Sequence, residues 1–186
     1  MSTPDVSTEF RRLRAHLERL APGSATTFNP PATAEELERL DEVLDGRTPP
    51  ELRELLLVAN GQDDPSGVHG MLNHLSFCSV DELIRFHREL AAGNRRTPAP
   101  QPSAYRWATW SPDWIPVMTA DGDALMIDLD PGESGTAGQV FVRPEDPELD
   151  PPLADSLGGY LARANELIEA GEYEADDDVV TIVELY

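Results

Sequence analysis

Four aspartates, Asp121, Asp123, Asp128 and Asp130, are the strongest chemical cluster in the chain. Side chains alternate along a strand, so Asp128 and Asp130 share a face with Met126, opposite Leu125 and Ile127. The dipeptide Asp121-Gly122 tolerates the positive φ angles of a short hairpin turn and carries Asp121 and Asp123 to the far end of the same hairpin. Such a set can act as an acidic platform for a basic partner, or as a calcium site. Calcium takes roughly six to eight oxygens in near-closed geometry, and the D-x-D-x-D-G spacing of an EF-hand is absent. The acids can equally be turn formers, solvated or bonded to loop amides. No bound metal is expected.

Trp107, Trp110 and Trp114 form the second group. Large aromatics concentrate at binding hot spots because they desolvate much area at little entropic cost. Trp114, beside Ile115, reads as core, whereas Trp107 and Trp110 adjoin a Pro-rich stretch and are candidates for a partner surface. His69 and His74 flank Met71-Leu72 with no visible third ligand or base, and read as loop histidines. Cys78 is the only cysteine; it lies in an apolar run and reads as a buried, inert thiol. Gly132-Glu133-Ser134-Gly135 is not a nucleophile elbow, because its second glycine comes one position too early. No catalytic residue and no cofactor are expected.

Composition narrows the classes further. The 186 residues carry 35 Asp and Glu against 14 basic residues, a formal net charge of −21. There is no lysine, which excludes Schiff-base chemistry and the phosphate-binding lysine of a P-loop. So acidic a chain repels nucleic-acid phosphate and anionic lipid and attracts basic proteins or cations. Neither a signal-like N-terminus nor a bilayer-spanning apolar run is present, so a cytoplasmic protein is expected, without nucleic-acid or membrane partners.

The elements that position these residues read as one domain over 1–186. Phe10, Leu13, Leu17 and Leu20 recur at helical spacing, ending near Pro22-Gly23. Thr33 and Glu36 make a capping-box pattern ahead of Leu37, Leu40, Val43 and Leu44, with Gly46 as the stop. Thr48 is the expected cap of a third helix with Pro49 at its first position, an apolar face of Leu52, Leu55, Leu56 and Ala59, and Asn60-Gly61 at its end. A strand is expected at 75–78, and Ser79 with Glu82 caps a fourth helix carrying Leu83, Phe86 and Leu90. Residues 93–103, GNRRTPAPQPS, read as an exposed linker. Strands at 115–119 and 124–129 show the two-residue period of half-buried strands, a third at 139–142 follows a Gly-rich loop, and their short connections make them antiparallel neighbours. Leu153, Leu157, Tyr160, Leu161, Ala164, Leu167 and Ile168 mark a last helix stopped by Gly171, and 179–186 reads as a strand. The fold class is α+β, a central, mostly antiparallel sheet flanked by helices.

Several separated motifs carry a resemblance over roughly residues 30–171. They are Pro31-Ala32-Thr33 before an acidic helix; Gly46, Pro49, Leu52-Arg53 and Asn60-Gly61-Gln62; and Trp110, Trp114-Ile115-Pro116, Gly122, Asp128, Pro131 and Gly138-Gln139-Val140. Leu157, Tyr160-Leu161, Gly171 and Tyr173 close the series. In this order they resemble the SMI1/KNR4 family of the SUKH superfamily. Thr48 stands before Pro49 where the family usually has an apolar residue. The resemblance implies an α+β domain that binds proteins rather than an enzyme. Bacterial members act as immunity proteins against toxins, many of them nucleases; fungal relatives regulate cell-wall synthesis and signalling.

Two functions follow as expectations. The first is an immunity protein that neutralises a cognate toxin, with the −21 charge suited to a basic nuclease. The alternative is a regulatory or scaffolding module related to cell-wall regulators. A hydrolase is the third and weakest reading. The candidate partner-binding residues are Asp121, Asp123, Asp128, Asp130, Trp107 and Trp110.

Overall fold

The computed structural model describes residues 4–63, 70–93, 96–101, 103–120, 123–143, 149–176 and 178–185. Helix α1, Val6–Leu20, starts where Asp5 accepts the Thr8 amide at 2.7 Å and buries Val6, Phe10, Leu13 and Leu17. A single turn, α2 (Pro22–Ala25), follows at once, because proline suits the first position of a helix. Helix α3, Ala34–Val43, carries the expected reciprocal box. Thr33 N donates to Glu36 at 2.7 Å, and Glu36 N donates back to the Thr33 hydroxyl at 3.2 Å.

The third long segment departs from the sequence expectation. Helix α4 spans Pro50–Leu56, and its cap is Pro49, not Thr48. Pro49 precedes another proline, whose ring disfavours helical ψ in the residue before it, and Pro49 has ψ 132°. The helix also stops before Ala59, because the Leu56 carbonyl is taken by the Ala32 amide at 2.9 Å.

Strand β1 is only Ser76–Phe77, shorter than 75–78. It leaves the tight turn Leu72–Leu75, whose central residues Asn73 and His74 have φ of 50° and 62°. Helix α5, Val80–Gly93, begins in the expected Ser79–Glu82 box and takes Gly93 into its last turn rather than into a linker. Strands β2 (Trp114–Ala120), β3 (Asp123–Asp128) and β4 (Gln139–Arg143) complete one sheet in the order β1-β2-β3-β4, all antiparallel. Ile115 faces Ile127 and Leu125 faces Val142, with a register shift between Pro116 and Met118. Asp121 and Gly122, the proposed turn, lie outside the described residues.

Helix α6, Leu157–Ala170, is capped by Ser156 and ends at Gly171, whose φ is 82°; Leu153 precedes it and pairs with β4 instead. Short strands β5 (Glu174–Ala175) and β6 (Val180–Thr181) form a separate antiparallel pair. The expected strand over 179–186 stops at Thr181 and turns into a 3-10 helix, Val183–Leu185. The reason lies in Asn73: its amide side chain takes both the N–H and the C=O of Ile182, at 2.7 and 3.0 Å, so no strand partner remains there.

One face of the sheet, with Ile115, Val117, Leu125, Ile127 and Val140, packs on the helices in a continuous core that reaches from Val6 to Leu185. Helix α1 lies against α4 and α6, and α5 against α3 and β2. The expectation of half-buried strands fails on the opposite face. There Trp114, Ala124, Met126 and Phe141 are buried beneath Tyr105, Ala104, Trp107, Leu90 and Leu149. The architecture is α+β, with both sides of its antiparallel sheet covered.

Candidate functional site

The central strands decide where the four aspartates go. Asp123 is exposed at the start of β3. Asp130 is half-buried and pairs with Arg106 at 3.0 Å. Asp128 has no exposed surface at all. Its carboxylate accepts the Asp130 amide and the Gln139 side-chain amide, each at 3.0 Å. The Trp114 indole also steadies this anion, although its Nε1 falls outside proper hydrogen-bond geometry. Burial dominates over these donors and pushes the Asp128 carboxyl up to about 6. Asp121 lies outside the described residues. An acidic platform built on Asp128 is therefore not formed, because the segment 103–107 closes over that face.

That segment is fastened through Gln139. The side-chain amide of Gln139 donates to the Ala104 carbonyl at 2.9 Å as well as to Asp128, and its oxygen accepts the Thr136 amide at 3.0 Å. Tyr105 packs tilted against Phe141 and edge-on to Trp114, with centroids 4.9 and 6.3 Å away, and donates its hydroxyl to the Asp150 carbonyl at 2.6 Å. Gly135 is required beneath: a Cβ there would lie 2.2 Å from the Ala104 oxygen. Residues 96–101 are mostly exposed but tied to the same strap, through Ala99 N to Arg106 O and Ala108 N to Thr97 O.

Of the tryptophans, Trp110 is only 7% exposed, so its side chain offers little surface to a partner. Trp107 is half-buried, with the Arg96 guanidinium 5.0 Å from its ring centroid. Trp114 is core, as its sequence context implies. Cys78 is buried against Thr119, and burial pushes its thiol up to about 12, which leaves no nucleophilic thiolate near neutral pH. His74 is exposed in its turn, and His69 lies outside the described residues. Among the described residues no three His, Cys, Asp or Glu side chains converge to hold a metal ion, and no helix is long and apolar enough to cross a membrane.

On the helix-bearing side the chain forms an open groove of about 740 Å³ that sequence reasoning did not find. Pro49 and Pro50 at the start of α4 form one wall, and Leu129 and Ala137 the sheet end. Leu153 and Arg163, before and within α6, line the other side. Glu51 in this wall accepts the Leu157 amide at 2.8 Å and so caps α6 from another helix. The groove is mostly apolar, with Glu51, Asp155 and Arg163 as its charged lining, and its size and character suit it to holding a ligand or a segment of another chain.

The comparisons with known proteins agree on one family. The sequence profile of the SMI1 / KNR4 family (SUKH-1) matches residues 31–163. A "KNR4/SMI1 homolog" of Yarrowia lipolytica is 23% identical, over 94% of this chain and 32% of that protein. A "Cell wall biosynthesis/cell cycle regulator smi1" of Schizosaccharomyces pombe is 26% identical, over 94% of this chain and 38% of that protein. The chain thus spans about a third of the length of the curated relatives it matches. With its antiparallel α+β core and a profile match over most of its length, the chain belongs to the SMI1/KNR4 family (SUKH-1).

Proposed function

We propose that this chain is a non-enzymatic protein-binding module with a regulatory role, of the kind named for its fungal relatives in cell-wall biosynthesis and the cell cycle, acting in the cytoplasm. The carrying observation is the match over 94% of the chain to a protein so named. It reverses the order drawn from the sequence, where immunity came first. The open apolar groove and the inert Cys78 thiol support binding over catalysis. Deleting the gene in its source organism is expected to alter growth under cell-wall stress. In-cell cross-linking to the chain is expected to recover a regulatory or cell-wall-synthetic protein. Unchanged growth and an empty cross-linking result defeat the reading.

The net charge of −21 keeps a second reading in view, an immunity protein that caps a basic toxin. Opposite fields accelerate such encounters, and exposed rim charges act mainly on the association rate. Under this reading Asp123→Arg slows association with a basic toxin at low salt and leaves the melting temperature unchanged. An unaltered association rate in a folded variant removes the hairpin tip from that interface.

A further inference from the structure

The groove does not end at α6. Arg163 lines it, donates to the Leu153 carbonyl at 3.4 Å, and hydrogen-bonds the carbonyl of Glu184 in the C-terminal 3-10 turn. The guanidinium thereby braces the groove against the C-terminal 3-10 turn through neutral carbonyls and keeps its positive charge at that junction. Glu184 also lines a smaller depression of about 240 Å³, together with Glu172, Tyr173, Glu174, Thr181 and Val183. Val183 is 70% exposed, the most exposed large apolar side chain among the described residues. The charged side chains lining this depression are all carboxylates. Arg163 therefore ties the apolar groove to the turn whose Glu184 lines the acidic depression.

We infer that the groove and the C-terminal hairpin together dock an extended basic segment of a partner protein. Its apolar side chains sit between Pro50, Leu129 and Leu153, and its Lys or Arg side chains lie over Glu172, Glu174 and Glu184. The inference rests on the protein-binding reading and adds to it the surface and the chemistry of the partner. Charge complementarity selects this occupant. A second copy of the chain brings another −21 to the contact, and an acidic segment meets the same repulsion. Neither penalty falls on a basic segment, whose cationic side chains meet the three glutamates of the depression and whose apolar ones pass the single cation of the groove, Arg163.

The test uses two labelled synthetic peptides, a leucine- and proline-rich one ending in a run of arginines and its counterpart ending in glutamates. Fluorescence anisotropy is expected to show binding of the arginine peptide only. That binding weakens at least about tenfold as ionic strength rises from ~0.01 to ~0.15 M, where the screening length falls to about 8 Å. Ala137→Trp fills the groove from an exposed position, and Glu172→Arg with Glu174→Arg reverses the charge of the depression. Each change is expected to weaken binding about tenfold or more, with the melting temperature unchanged. Equal binding of both peptides, or indifference to both variants in folded protein, overturns the proposal. So does sedimentation showing that the groove is filled by a second copy and released by Ala137→Trp. Amide-exchange protection on the Trp107 and Asp123 side instead also overturns this surface but leaves the protein-binding reading standing. No binding of either peptide overturns the partner chemistry, and the cross-linking experiment then decides the broader reading by itself.

Discussion

Asp128 shows how one buried side chain couples to pH. Its carboxyl lies above the ordinary value of 3.8, at about 6, because burial outweighs its two hydrogen bonds. Between those values the folded chain holds a proton that the unfolded chain has lost. The contribution of Asp128 is therefore most favourable below pH ~4 and is lost as pH rises through about 6. Asp5, Glu36, Asp41, Glu169 and Asp176 are held low by hydrogen bonds and work in the opposite direction, losing stability as pH falls. Asp128→Asn isolates the first effect. Relative to the variant, the wild type is expected to gain on the order of 2 kcal/mol on going from pH 7 to pH 4. Chemical denaturation of both proteins across that range checks it. Parallel stability curves show that the carboxylate is fully compensated where it lies.

At the scale of elements, local signals were legible and distant ones were not. The boxes at Thr33–Glu36 and Ser79–Glu82 each close within three residues, so the sequence alone revealed them. Period-two patterning likewise located β2 and β3, and the short connections that follow them gave β4 and the antiparallel pairing. The cap on α6 that comes from Glu51 joins residues 106 apart, and nothing local announces it. The same holds for the clamp from Gln139 to Ala104, which covers the second sheet face and buries Asp128. The strand misread at the C-terminus has this cause too, since Asn73 supplies the hydrogen bonds that a neighbouring strand was expected to make. Glu51→Ala is therefore expected to destabilise the protein by roughly 1–2 kcal/mol, a lost cap plus buried amides left unpaired. Hydrogen exchange should localise the loss to the first turn of α6. Uniform loosening of α4 without change in α6 contradicts the assigned role.

For the molecule as a whole, charge was readable from the first count of residues, whereas the groove was not, because its walls come from chain positions between Pro4 and Arg163. The charge has its own consequence for stability. With 14 arginines against 35 acids, the carboxylates far outnumber the cations available to pair with them. Ion pairs such as Arg39–Asp81 at 2.7 Å and Arg85–Glu89 at 3.7 Å are largely exposed, and such pairs contribute little. Salt weakens both the repulsion and the pairs, so the sign of its effect reports which is larger. A net charge of −21 in the folded volume makes repulsion the larger sum, and unfolding relieves it by spreading the charges apart. Raising sodium chloride from ~0.01 to ~0.3 M, where the screening length drops several-fold, is therefore expected to raise the melting temperature. Potassium chloride should give the same rise, since screening does not distinguish the two cations. A melting temperature that falls with salt assigns the dominant electrostatic role to the local pairs, and a rise confined to one cation points to its binding at a particular carboxylate cluster.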